Sequence, residues 1–168
     1  MFFEKGLVRV RRQLVEMRRL ASLPEAQLFA VTSVSAWTPS EHLDHSLKVA
    51  TWIVQRVLDP APERGRPFSF IGLLILWSAR IPRGRGKAPE RVRGARATRE
   101  ELMAAIDSLE AHLARLNASL LERKRGPIVP HPMFGSLTPP QALRFAAVHT
   151  DHHLRIVKDV LRSSGAAG

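Results

Sequence analysis

The stretch ALRFAAVHTDHHLRIVKDV, residues 142–160, decides the fold class. Ala142, Phe145, Ala146, His149, His153, Ile156, Val157 and Val160 recur at spacings of three and four and form one arc at about 100° per residue, with Arg144, Asp151, Arg155 and Lys158 opposite. This is an amphipathic helix, predicted to open at Thr138-Pro139-Pro140 and to run through Arg162. His149 and His153 lie one turn apart on its inner side, His152 sits at the edge of the arc, and Asp151 is expected to look outward. A pair of buried imidazoles places two polar rings in one small volume, and each must find a partner. A metal ion is one such partner, and it demands a third ligand from elsewhere in the chain.

The same period extends through most of the sequence. Leu7, Val10, Leu14, Met17 and Leu20 mark a first amphipathic helix over residues 4–20, interrupted by Pro24, with a short helical segment expected over 25–34. A second helix is predicted from Pro39 to Leu58, capped by Thr38 or Ser40 and stopped by Asp59-Pro60. Thr98-Arg99-Glu100-Glu101 signals the start of a third, in which Leu102, Ile106, Leu109, Leu113, Leu116 and Leu120 form a bundle seam up to about Lys124 before Gly126-Pro127. His112 falls at the boundary of that stripe. The apolar run Phe68–Ala79 is too short for the ~20 residues that cross a bilayer and is predicted to be a buried helix. No segment alternates with period two over a useful length, so strands are not expected. The expectation is an all-α fold: a four-helix bundle with one additional short helix and a long basic loop, in a single domain over 1–168 with a flexible tail at 163–168.

At 168 residues the chain can bury a genuine core without staples, and it contains no cysteine, which excludes disulfides and a thiolate nucleophile of its own. The arginines near the N-terminus are interleaved with apolar residues rather than followed by a secretory hydrophobic stretch, so a cytoplasmic location is expected. Net charge is +11, of which +6 falls between Arg80 and Arg96, among Pro82, Gly84, Gly86, Pro89 and Gly94. The electropositive feature is therefore the loop at 80–97 rather than the surface as a whole.

The third imidazole is available in WTPSEHLDH, residues 37–45, at the start of the second helix. Asp44, Lys48, Thr51 and Gln55 are expected to make that helix's wet side, and both His42 and His45 lie off it. Periodicity places His42 nearer the centre of the inner face and does not settle the choice.

The order of helix, WTPSEHLDH, apolar segment, IPRGRGKAPERVR, heptad helix, HPMFGSLTPPQ and HTDHHLRIV resembles the DinB/YfiT-like superfamily, in particular a bacterial branch known only as a domain of unknown function. The resemblance spans nearly the whole chain. It implies a four-helix bundle, often dimeric, with a divalent metal held by one histidine of the second helix and a closing His-x-x-x-His pair. Residue by residue, the first ligand falls eight positions after Trp37, on His45, and the pair on His149 and His153, with His42 a neighbour. His131, within HPMFG, matches the branch's pattern but no ligand position. Arg155 and Ile156 stand where several members carry a glutamine.

Three imidazoles leave a divalent ion at least one open position, as in catalytic sites, and nitrogen ligands suit zinc or nickel. Some relatives are thiol S-transferases, so the resemblance implies a metal-dependent transferase or hydrolase acting on a small molecule, with an external low-molecular-weight thiol as co-substrate. His42, Trp52 and His152 are candidates for the second shell or pocket wall, and Arg83, Arg85, Lys87, Arg91 and Arg93 for an anion-binding loop over the bundle mouth. No catalytic residue is assigned: Glu41 and Asp44 are near the site in sequence, but Asp44 is expected to project outward. The competing class is a non-enzymatic basic protein that binds an anionic membrane surface or nucleic acid. No nucleic-acid reading motif accompanies the basic loop, whereas Phe68, Phe70, Leu73, Leu74 and Trp77 adjoin it and could dock shallowly; neither partner is the leading expectation.

Overall fold

The computed structural model describes residues 2–59, 67–84, 88–117, 126, 129–131 and 134–165, with side chains from residue 5 onward. Its long helices are α1 (Phe2–Ala21), α3 (Pro39–Leu58), α5 (Arg99–Ala114) and α6 (Pro139–Ser163), with shorter α2 (Glu25–Leu28) and α4 (Phe70–Ser78) and a 3-10 turn at Glu90–Val92. The chain is all-α in class, as its periodicity predicts.

Local chemistry sets the helix starts. Thr38 accepts a hydrogen bond from Glu41 N at 3.3 Å while the Glu41 carboxylate takes the Thr38 N–H at 2.8 Å, and Thr98 and Glu101 repeat the arrangement at 3.2 and 2.8 Å. Before α6, Thr138 N donates to Gln141 Oε1 at 2.9 Å, and proline occupies the first turn, where its missing N–H removes no helical bond. The seam of α5 stops sooner than its leucine stripe predicts. Bonds from Arg115 N to His112 O and from Leu116 N to Leu113 O tighten the last turn, and Leu116 stays buried outside the helix. The stripe beyond Asn117, including Leu120, lies outside the described residues, as do Pro127, Arg85 and Lys87.

Around the bundle the neighbours are α1 with α6, α6 with α3, α3 with α5 and α5 with α1. Ser40 bonds Ala97 at the start of α3 and α5, and Gln55 bonds His112 at their ends, so these two helices run parallel. By contrast, α3 and α6 are antiparallel, with His42 opposite His153 and His45 opposite His149. A parallel pair forces the connection to return along the bundle: α3, at 20 residues, is about 30 Å long. That requirement accounts for the long segment between Leu58 and Arg99, which carries α4 and the basic loop. The core is built from residues such as Leu14, Leu47, Ile53, Leu102, Ile106, Leu143 and Val157.

Four expectations need correction. A small antiparallel hairpin exists, β1 (Val129–His131) with β2 (Gly135–Leu137), in the register Val129↔Leu137 and His131↔Gly135; three residues per strand are too few to show a period. The apolar run does form a helix, α4, but not a buried one. Only Gly72, Ile75 and Leu76 are buried, while Phe70 and Trp77 are 78 % and 79 % exposed. A helix apolar on every side has no periodicity to reveal that it packs by one narrow face. Asp44 is buried rather than wet, because the connection after α4 crosses over it. Asp151 faces α1, where Arg9 and Gln13 bind its carboxylate.

Candidate metal centre

The capping box at Thr38 fixes where α3 begins and therefore which of its side chains meet α6. From Pro39 to Leu47 nearly every residue is buried, because α5, α6 and the return segment surround this part of the helix. Within it, His45 Nε2 lies 3.2 Å from His149 Nε2, and His42 Nδ1 lies 2.9 Å from His153 Nδ1. The rings of His45 and His153 are centred 4.7 Å apart, and those of His149 and His153 4.6 Å. His45, His149 and His153 each offer a nitrogen such that all three lie within 4.8 Å of one another, and they can hold a metal ion.

The surroundings fit that use. His45 Nδ1 is 2.5 Å from the Val92 carbonyl, which only accepts, so Nδ1 carries the proton and Nε2 presents a lone pair toward His149. His42 touches His153 through Nδ1 and Ser35 Oγ through Nε2 at 2.9 Å, and Ser35 Oγ also accepts from Trp37 N at 3.1 Å. His42 is thereby a link between His153 and the turn before α3. Nδ1 of His149 is enclosed and, among the described residues, has no hydrogen-bond partner. Two facing imidazole nitrogens can share one proton, whereas a cation satisfies three converging lone pairs together.

Burial, the largest cause in each case, pushes the imidazoles below their ordinary range. His42 falls to about 4, with further lowering from nearby His45 and His152. His45, His149 and His153 shift the same way, and for His45 the Val92 carbonyl partly opposes the shift. Neutral imidazole is the form that binds metal.

Of the other residues singled out by sequence, His152 packs edge-on against His153 at 5.0 Å and is lowered to about 4 by burial, then by Arg155 and Arg83. Trp52 carries two guanidinium groups, with Arg91 over its ring at 4.4 Å and Arg56 at 5.8 Å. Arg83 pairs with Asp159 at 2.5 Å and Arg93 with Glu90 at 3.7 Å. His131 stacks on Phe134 at 4.0 Å and meets Phe145 edge-on, outside the ligand group. The wall nearest the histidines is Trp37, centred 5.4, 5.1 and 6.3 Å from His42, His45 and His153. Sequence reasoning used Trp37 as a spacing marker and missed its ring as a wall. It also missed Ser35 and the Val92 carbonyl, for which no side-chain pattern gives a signal.

The profile of the DinB superfamily matches residues 7–157 of the chain, which covers every clustered histidine. The protein belongs to the DinB superfamily. No curated protein and no solved structure matches it.

Proposed function

We propose that this protein is a metal-dependent enzyme acting on a small molecule, of the thiol S-transferase or hydrolase type, with a divalent ion, zinc or nickel, held by His45, His149 and His153. The observation that carries this reading is the convergence of three buried or half-buried imidazoles from α3 and α6, held neutral by burial, with their donor nitrogens within 4.8 Å. A divalent ion supplies Lewis acidity in such a setting, lowering the pKa of a bound water or thiol toward neutrality. The residues do the positioning: the Val92 carbonyl holds the Nδ1 proton of His45, His42 orients His153, and Trp37 keeps water from one side. Because the chain has no cysteine, a transferred thiol would come from solution.

Purified, untagged protein is expected to retain about one divalent ion per chain, and His45→Ala and His153→Ala to lose it. Stoichiometric metal kept by both variants would refute the ligand set. Bound metal without turnover on any of a panel of thiol acceptors and esters would remove the enzymatic part and leave a structural ion.

A second reading is favoured by one observation: α4 displays Phe70, Ile71, Leu73, Leu74 and Trp77 beside exposed Arg80, a pairing suited to an anionic membrane surface. Among the described residues no helix is long and apolar enough to cross a membrane. Failure to co-sediment with phosphatidylserine vesicles near physiological salt removes it.

A further inference from the structure

The segment Val92–Ala97, at the end of the basic loop, is bound to α3 at every other residue or closer. Val92 O accepts from His45 Nδ1 at 2.5 Å, and Arg93 O accepts from Lys48 Nζ at 3.2 Å. Ala95 N donates to Asp44 Oδ2 at 2.7 Å, and Ala97 O accepts from Ser40 Oγ at 2.6 Å. Asp44 is itself fixed by Lys48 at 2.6 Å. Val92 and Ala97 are buried at either end of the segment, while Arg91 lies over Trp52 and Arg96 over Phe29. Between these anchors Gly94 rests directly on the backbone of α3. A Cβ built there would meet Glu41 O at 2.3 Å and Glu41 C at 2.9 Å, both main-chain atoms that cannot swing aside.

One of these contacts, from Val92 O, reaches an atom of the candidate centre. A histidine binds metal through one nitrogen, and the hydrogen bond made by the other decides which nitrogen is free. For His45 that bond goes to Val92 O, two residues before Gly94, so the depth at which Gly94 seats sets the position of the carbonyl.

We propose that Val92–Ala97 is a strap that holds His45 in the Nδ1-protonated tautomer with Nε2 free, and that Gly94 is its positioning residue, lying against α3 so closely that no side chain is tolerated. The inference rests on the metal-site reading for its consequence but not for its geometry. A larger residue at 94 lifts the strap, draws Val92 O away from His45, and lets the ring populate the other tautomer or turn. Arginine is a stem for the strap here: Arg91 and Arg96 use their charge against aromatic faces that flank it.

The test compares wild type with Gly94→Ala and, as a second way to loosen the strap without adding bulk, Asp44→Ala, which removes the acceptor of Ala95 N. In metal-free protein labelled with 15N-histidine, long-range proton–nitrogen spectra of wild type are expected to show His45 protonated at Nδ1 alone. Both variants are expected to show averaged His45 nitrogens, with unchanged helical circular dichroism. In competition with a chelator, zinc affinity is expected to fall about 10- to 100-fold in the variants, the range for losing such an outer partner. If the His45 tautomer and zinc affinity match wild type in a folded Gly94→Ala or Asp44→Ala protein, the strap inference is overturned. If wild type binds no zinc while its His45 tautomer is fixed and the variants release it, the strap stands and the metal reading falls. Should Gly94→Ala fail to fold, Asp44→Ala decides by the same two measurements.

Discussion

Replacing His149 by leucine is expected to stabilise the metal-free protein, although it deletes a ligand. His149 Nδ1 is enclosed without a partner among the described residues, and an unmade hydrogen bond of that kind costs about 1–3 kcal/mol. Leucine has nearly the same volume and packs against Phe145, whose ring is 5.5 Å away, so little cavity opens. Against this gain, His45 Nε2 loses its contact at 3.2 Å, worth about 0.5–1.5 kcal/mol. The net expectation is about 1 kcal/mol in favour of the variant, or about 2–4 °C in melting temperature for a chain of this size. Metal reverses the order. Free zinc at a hundred times its dissociation constant stabilises a binding-competent protein by about 2.7 kcal/mol, which is available to wild type and not to His149→Leu. Thermal melts followed by circular dichroism, with chelator and then with zinc, read both halves. A variant that melts below wild type in chelator would show that the buried imidazole is not a burden, and the cost assigned to the cluster would be wrong.

Three further outcomes are expected. Ile106→Ala, at a fully buried position of α5, should cost about 2–5 kcal/mol in denaturant unfolding while zinc stoichiometry stays at wild type, because the site draws on α3 and α6. Thr98→Ala removes one half of a reciprocal cap and should cost about 1 kcal/mol in the same assay. Glu16, held to about 2 chiefly by its bond to Arg19 and also by Lys158, has a folded-state value below its ordinary 4.5. Its contribution is therefore complete above pH 4.5 and lost as pH falls toward 2, so wild type should lose more stability over that window than Glu16→Gln; solvent screening limits the difference to about 0.5–1 kcal/mol.

What the sequence disclosed was what depends on near neighbours. Thr38 with Glu41 and Thr98 with Glu101 are complete within four residues, so the start at Thr98 was legible directly and the other was narrowed to Thr38 or Ser40. The inner face of α6 was legible because about seven helical turns repeat one pattern around His149 and His153. The choice between His42 and His45 was not legible, since α3 is covered on nearly all sides where they lie and a one-sided projection cannot rank two buried positions. Asp44 was misjudged for the same reason: the segment that covers it is over forty residues further along and carries no periodic signal. Family spacing pointed to His45, and only three-dimensional placement discloses that a main-chain carbonyl stands behind it.

The parallel course of α3 and α5 has a consequence for what can change in this protein. Spanning about 30 Å takes roughly nine extended residues, yet some forty separate Leu58 from Arg99. Three quarters of that stretch is surplus to the task of joining two rods, and it is this surplus that displays α4 outward and returns a carbonyl to His45. The ligands thus stand on the rods while a main-chain partner of one of them, the Val92 carbonyl, comes from the crossing, so a change in the crossing would reach the tuning of His45 without altering any ligand.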